Sequence, residues 1–132
     1  MYRVRKEVAA AMQVHAEQSY PNECCGLLGG IGSLFVDYYP LTNRAEEPTR
    51  SFFAAPEEIF PAMQRMRALG QQQLGIYHSH PASQAYPSTR DIALAFYPEA
   101  INFILSLHPV RELYAFQIER GAVRGVNFAI ID

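Results

Sequence analysis

Nothing in this sequence is long and apolar enough to cross a bilayer: the longest apolar stretches, such as Ala100 to Leu107, fall far short of the ~20 residues a spanning helix needs. Nor is there an excess of positive charge. Lys and Arg number 11 against 13 Asp and Glu, for a formal net charge of −2, which leaves no electrostatic footprint for nucleic acid or an anionic membrane. Cysteine is scarce: Cys24 and Cys25 are the only two and they are adjacent, an arrangement that rarely satisfies disulfide geometry. A reducing compartment fits that. The N-terminal stretch runs from charged residues into Ala9-Ala-Ala-Met-Gln-Val-His-Ala-Glu, too polar for the apolar region of a signal peptide. The expectation is a soluble cytoplasmic protein with neither nucleic acid nor membrane as partner. Internal repeats, low-complexity tracts and like-charge runs are absent as well.

What is present points to one folded unit. The 132 residues, 49% of them hydrophobic, match the size of one domain spanning 1–132. Such a chain buries about two-thirds of the surface it exposes when unfolded. Val4, Val8, Ala11, Met12 and His15 recur at three- and four-residue spacing, which predicts a helix over about 3–18 closed by Tyr20-Pro21. Residues 24–30 and 33–39 read as two strands joined by a Gly-rich turn at 29–32. Residues 41–50 read as a loop, and 51–55 as a short strand. Pro56-Glu-Glu suits a helix start, although Pro61 would remove an internal hydrogen bond if the helix begins that early; Gly70 marks its end. Residues 72–80 read as a central strand, 81–87 as a loop, and 88–96 as a short helix stopped by Pro98. Three strands follow, at 101–107, 112–119 and 123–131. Helices and hairpins interleave, so the expected class is α/β or α+β, a mixed sheet flanked by helices.

The chemistry gathers around Tyr77-His78-Ser79-His80. Residues two apart on a strand project from one face, with Cα atoms roughly 6.6 Å apart, so both imidazoles can converge on one metal ion. Alone, the pair is equally compatible with two structural histidines that each find a hydrogen-bond partner. Asp91, at the start of the following helix, supplies a hard oxygen, and His-His-Asp with one open position is the ligand pattern of a catalytic zinc. Ser88-x-x-Asp91 also reads as a helix cap, and the two readings are compatible. A carboxylate near such a metal is needed to move a proton from water to a leaving nitrogen. Glu23 is the candidate, in Pro21-Asn-Glu-Cys-Cys-Gly-Leu-Leu-Gly-Gly, where a charged side chain is poorly placed for solubility; by spacing alone it can also be read as an exposed loop residue. Cys24 and Cys25 read as small buried apolar residues. His15 and His108 lack a partner pattern.

Glu23, followed by His78-x-His80, seven residues, Ser88, two residues and Asp91, resembles the full motif of the JAMM metallopeptidases, the catalytically competent branch of the MPN domain family. The resemblance extends to the segment Pro21–Gly30, to Pro40-Leu-Thr-Asn43, to Phe52 or Phe53 before Pro56-Glu-Glu, and to Gly75-Ile-Tyr-His-Ser-His-Pro81. It implies a layered fold similar to that of the cytidine deaminases. It also implies His78, His80 and Asp91 as zinc ligands, Glu23 as general acid/base, and Ser88 as hydrogen-bond donor to the oxyanion of the tetrahedral intermediate. The reaction implied is hydrolysis of an amide or isopeptide bond after the C-terminus of a ubiquitin-like protein. Eukaryotic relatives carry extra segments that grip ubiquitin, for which 132 residues, with 41 after Asp91, leave little space. The chain therefore looks like the minimal prokaryotic form, whose substrates include small sulfur-carrier proteins ending in Gly-Gly. Release of what is attached beyond that diglycine, for instance an amino acid in cysteine biosynthesis, is the leading expectation. Another peptide substrate, from a cell wall or phage tail, and a non-catalytic MPN scaffold are the alternatives. A zinc nucleobase deaminase would need His-x-Glu with Pro-Cys-x-x-Cys, which is not present. Oligomeric state is not legible.

Overall fold

The computed structural model describes residues 1–132. In chain order it consists of β1 (Tyr2–Arg5), α1 (Lys6–Ser19), β2 (Cys25–Ile31), β3 (Leu34–Leu41), α2 (Pro56–Ala68), β4 (Gln73–His80), α3 (Thr89–Ala93), β5 (Ile101–Ser106), β6 (Glu112–Glu119), β7 (Ala122–Val126) and β8 (Phe128–Ile131). All eight strands join one mixed sheet, ordered β7-β6-β5-β4-β2-β3-β1-β8. The β4–β5, β1–β3 and β1–β8 pairs are parallel and the remainder antiparallel. The expected mixed sheet with flanking helices is therefore the fold, and β4 lies in its interior. The outermost strands, β7 and β8, are separated in sequence by Asn127 alone, so the sheet curls until the end of β7 meets the start of β8, and each edge strand is only four or five residues long. No helix is long and apolar enough to cross a membrane.

Two-residue alternation assigns the faces of the sheet. Tyr77 of β4 and Cys24 and Leu28 from the β2 segment join Val4, Val8, Met12 and Ala16 in the core beneath α1. Cys25 and Leu27 of β2 point the other way and pack with Met66 of α2, with Ile59, Met63, Leu74 and Ile76 around them. The two cysteines are thus buried, unpaired and on opposite faces, as small apolar residues. Burial pushes their thiols up, to about 11 for Cys24 and about 12 for Cys25.

Several sequence-based boundaries differ from the structure. The predicted helix over 3–18 begins with a strand, because Tyr2–Arg5 pairs with β3 on one side and β8 on the other, and this non-local pairing overrides helical periodicity. Gly29 and Gly30 lie inside β2 rather than in a turn. A Cβ on Gly29 would strike the side chain of Gln71; the turn itself uses Gly32, whose φ of +61° favours glycine. Residues 51–55 form only an isolated bridge, Asn43 to Ala54. Helix α2 starts at Pro56 despite Pro61; Pro61 is exposed, so water can serve the carbonyl it leaves free. The helix predicted over 88–96 stops at Ala93, and since none of its residues is buried, no packing holds a longer one in place. The last predicted strand divides at Asn127 into two strands with different partners.

Glycine contacts supply one stability test. A Cβ on Gly75 would sit 2.9 Å from both Leu28 Cβ and Phe35 Cε1, whereas one on Gly125 meets nothing within 4 Å. Gly75→Ala is expected to cost about 1–3 kcal/mol through overpacking and Gly125→Ala under about 0.5 kcal/mol, compared by urea denaturation. Equal midpoints would contradict this packing.

Candidate active site

The C-terminal end of β4 directs His78 and His80 to the face shared with α2 and α3, opposite Tyr77 and Ser79. Both imidazoles are buried, with 4% and 5% exposure, and Asp91 reaches them from the first turn of α3. The Nε2 atoms of His78 and His80 are 3.1 Å apart, and Asp91 Oδ2 lies 3.1 Å from the first and 3.2 Å from the second. Ligands about 2.0–2.1 Å from a tetrahedral zinc would be separated by roughly 3.3 Å, so the donor spacing fits such an ion. The tautomer fits as well. His80 Nδ1 is 2.8 Å from the carbonyl of Gln84 and donates to it, which turns a lone pair at Nε2 toward Asp91. Lone pairs converging on a carboxylate call for a cation at their centre, or a proton in its place.

The titration of the cluster follows from the same geometry. Burial lowers the pKa of His78. Burial also acts to lower that of His80, but its hydrogen bonds with Asp91 and with the Gln84 carbonyl outweigh this, and the net shift is upward. Burial would raise Asp91, yet the contacts of its Oδ2 with both imidazoles, which donate to it when a proton rather than a cation lies between them, hold its carboxyl well below the usual carboxylate range.

Ser88 is the N-cap of α3. Its Oγ accepts from Asp91 N at 3.1 Å, and its own N–H donates to Asp91 Oδ2 at 2.9 Å, the reciprocal capping box. The cap fixes Asp91 against the histidines and leaves the Ser88 hydroxyl hydrogen free to donate elsewhere. Glu23, just before β2, is 5% exposed, and its Oε1 is buried without a hydrogen-bond partner. Burial pushes its pKa up from 4.5 to about 7, with the charges of His80, Asp91 and Arg90 acting on it as well. A poised proton acceptor beside a metal-type donor set is an arrangement for hydrolysis.

The structure thus brings His78, His80, Ser88 and Asp91 into contact and sets Glu23 within their field. It also brings in residues that sequence reasoning left without a chemical task. Phe52 stacks on the His78 ring, centroids 4.5 Å apart and planes at 27°. Ser79, between the histidines, accepts from Cys24 N at 2.8 Å through its Oγ. Beside the cluster opens an apolar cavity of about 300 Å³, bounded by His78 and Asp91 and walled by Phe52, Ile76, Leu94 and Phe96. Phe53 and Phe96 at this cavity are 53% and 72% exposed.

Residues 5–119 match the family described as prokaryotic homologs of the JAB domain. The chain is 36% identical over 124 residues to the CysO-cysteine peptidase of Mycobacterium tuberculosis, covering 91% of this chain and 84% of that protein. It is 33% identical over 88 residues to the desampylase of Haloferax volcanii, covering 65% and 63%. The solution structure of protein DSY2949 from Desulfitobacterium hafniense superimposes with a TM-score of 0.86 at 33% identity, covering 100% of this chain and 94% of that one. With a family match over this much of its length, the chain belongs to the JAMM family in its prokaryotic JAB-domain form.

Proposed function

We propose that this chain is a zinc-dependent peptidase that hydrolyses the amide or isopeptide bond following the C-terminal Gly-Gly of a ubiquitin-like or sulfur-carrier protein. The observation that carries this reading is the convergence of three donor atoms, from His78, His80 and Asp91, within 4.8 Å of one another beside a buried carboxylate with an unpartnered oxygen. The relatives' names, a CysO-cysteine peptidase and a desampylase, support the substrate class.

A zinc ion held by His78, His80 and Asp91 would act as a Lewis acid on the scissile carbonyl and on the attacking water. Glu23 takes the proton from that water and delivers it to the departing amine; its pKa near 7 suits both halves of the transfer near neutral pH. The Ser88 hydroxyl, holding Asp91 N through its lone pair, donates its hydrogen to the oxygen that becomes negative as the carbonyl turns tetrahedral. The apolar cavity beside the site receives the side chains preceding the diglycine, and main-chain hydrogen bonds hold the extended tail. Diglycine suits the approach to buried ligands because it has no side chains to accommodate. The two buried free thiols accord with a cytoplasmic setting.

The test is to incubate zinc-loaded protein with ubiquitin-fold carriers extended by one or more residues beyond Gly-Gly and follow intact masses. The expected result is loss of the mass beyond the diglycine. Carriers left intact by fully zinc-occupied protein would contradict the substrate assignment.

A further inference from the structure

We propose that Asn43 is a positioning residue for Glu23, and that its side-chain amide locks the Glu23 main chain and the loop over 44–53 into one unit; this rests on Glu23 being the proton carrier. Glu23 lies just before β2, so no strand ladder holds it. Tertiary bonds do so instead. Glu23 N donates to Pro48 O at 2.7 Å, and Glu23 O accepts from Asn43 Nδ2 at 3.0 Å. Cys24 N donates to Ser79 Oγ at 2.8 Å, and Cys24 O accepts from Ser79 N at 3.1 Å. Every main-chain polar group across Glu23 and Cys24 is therefore engaged, whereas Glu23 Oε1 has no partner. The backbone is held and the carboxylate is left available.

Asn43 is the hub of this arrangement. Its Nδ2 also donates to Ser51 O at 3.0 Å, and its Oδ1 accepts from Ala45 N and Phe53 N, both at 3.0 Å. Two donors and two acceptors exhaust an amide's usual capacity. The bond from Ala45 is an ordinary turn made by an asparagine with its own neighbourhood. The other three reach 20, 8 and 10 residues along the chain, which turn formation does not require. Phe52, between Ser51 and Phe53, both bonded to Asn43, is the ring stacked on His78. One amide thus ties together the proton carrier, the 44–53 loop and a wall of the apolar cavity.

The consequence is kinetic. Loss of the amide lets the Glu23 main chain drift, and misplacement of a catalytic group by about 1 Å can cost 10²-fold in rate. The experiment measures steady-state cleavage of a carrier extended beyond Gly-Gly by zinc-loaded wild type, Asn43→Ala and Asn43→Asp. Each substitution is also made in a Glu23→Gln background, with zinc content and near-UV circular dichroism monitored. Asn43→Asp keeps the shape and the acceptors for Ala45 N and Phe53 N but loses both donors, so it serves if the alanine variant fails to fold. The expected result is a roughly 10–100-fold lower kcat with KM within about threefold and zinc content unchanged. In Glu23→Gln, where no carboxylate remains to be misplaced, the same change is expected to cost less than about threefold. An equal loss in both backgrounds, or a wild-type kcat in Asn43→Asp while Glu23→Gln is impaired, overturns the inference. Wild-type turnover in Glu23→Gln itself would overturn the underlying reading of Glu23, and this inference with it.

Discussion

Glu23→Gln is expected to retain zinc and fold while losing about 10²–10⁴-fold in kcat, the usual contribution of a positioned general acid–base. The substitution preserves the size of the side chain and removes only its capacity to accept and return a proton. A second, opposite effect belongs to the same residue. In the metal-free protein the native pKa is raised to about 7 from 4.5, so folding disfavours the carboxylate. The sign follows from the direction of the shift: nothing is lost below about pH 4.5, stability falls as pH rises toward 7, and the full cost persists above it. That cost is about 3 kcal/mol at pH 8. Metal-free Glu23→Gln is therefore expected to be more stable than metal-free wild type at pH 8, by up to that amount, with the difference closing toward pH 4.5. Denaturation at the two pH values measures it; a constant difference would rule out titration of Glu23 as the cause. A cation bound nearby draws the pKa of Glu23 back down, so zinc should shrink the pH-dependent part.

Asp91→Ala is expected to abolish both metal binding and turnover. Removing a group that only supports a metal ligand costs about 10–100-fold in affinity, and loss of a ligand itself should exceed about 100-fold. Asp91 also receives the Ser88 N–H, and its Oδ2 is the oxygen that touches both imidazoles, so its removal takes the oxygen donor out of the cluster. Ser88→Ala separates capping from chemistry. Asp91 N loses its acceptor, yet all three donor atoms remain, so zinc affinity should fall no more than about 100-fold. At saturating zinc, kcat should still drop about 10²–10³-fold for want of the oxyanion donor. Metal content by elemental analysis after dialysis, with cleavage rates on the same samples, checks both variants. Stoichiometric zinc in Asp91→Ala would remove that residue from the ligand set.

Much of this site was legible because its chemistry is encoded in local spacing. His78 and His80 share a strand face through an alternation that any extended segment obeys, and Ser88 and Asp91 form a cap whose three-residue offset is fixed by helix geometry. What stayed hidden depends on contacts distant in sequence. The N-terminal strand exists because β3 and β8 flank it, while its own residues continue the helical pattern of α1. Gly29 and Gly30 are held inside β2 by pairing with Leu74 and Gln73 of β4, more than 40 residues away. The loop over 44–53 carries the polar composition, broken by Pro48, of an unstructured connection, yet an amide, a proline carbonyl and a stacked phenyl ring press it onto Glu23 and His78. Asn43 sits in a segment whose resemblance to the family was visible, but nothing in Pro40-Leu-Thr-Asn43 names the carbonyl of Glu23 as its target.

The central claim is that one zinc ion, held by His78, His80 and Asp91, makes this chain a peptidase. The measurement that tests it most directly is to strip the protein with a chelator, titrate zinc back, and record bound metal and cleavage of a diglycine-extended carrier in the same samples. Turnover is expected to be absent without metal, to rise in proportion to occupancy and to level off at one zinc per chain. Undiminished cleavage by stripped protein, or full occupancy with no cleavage, would contradict it.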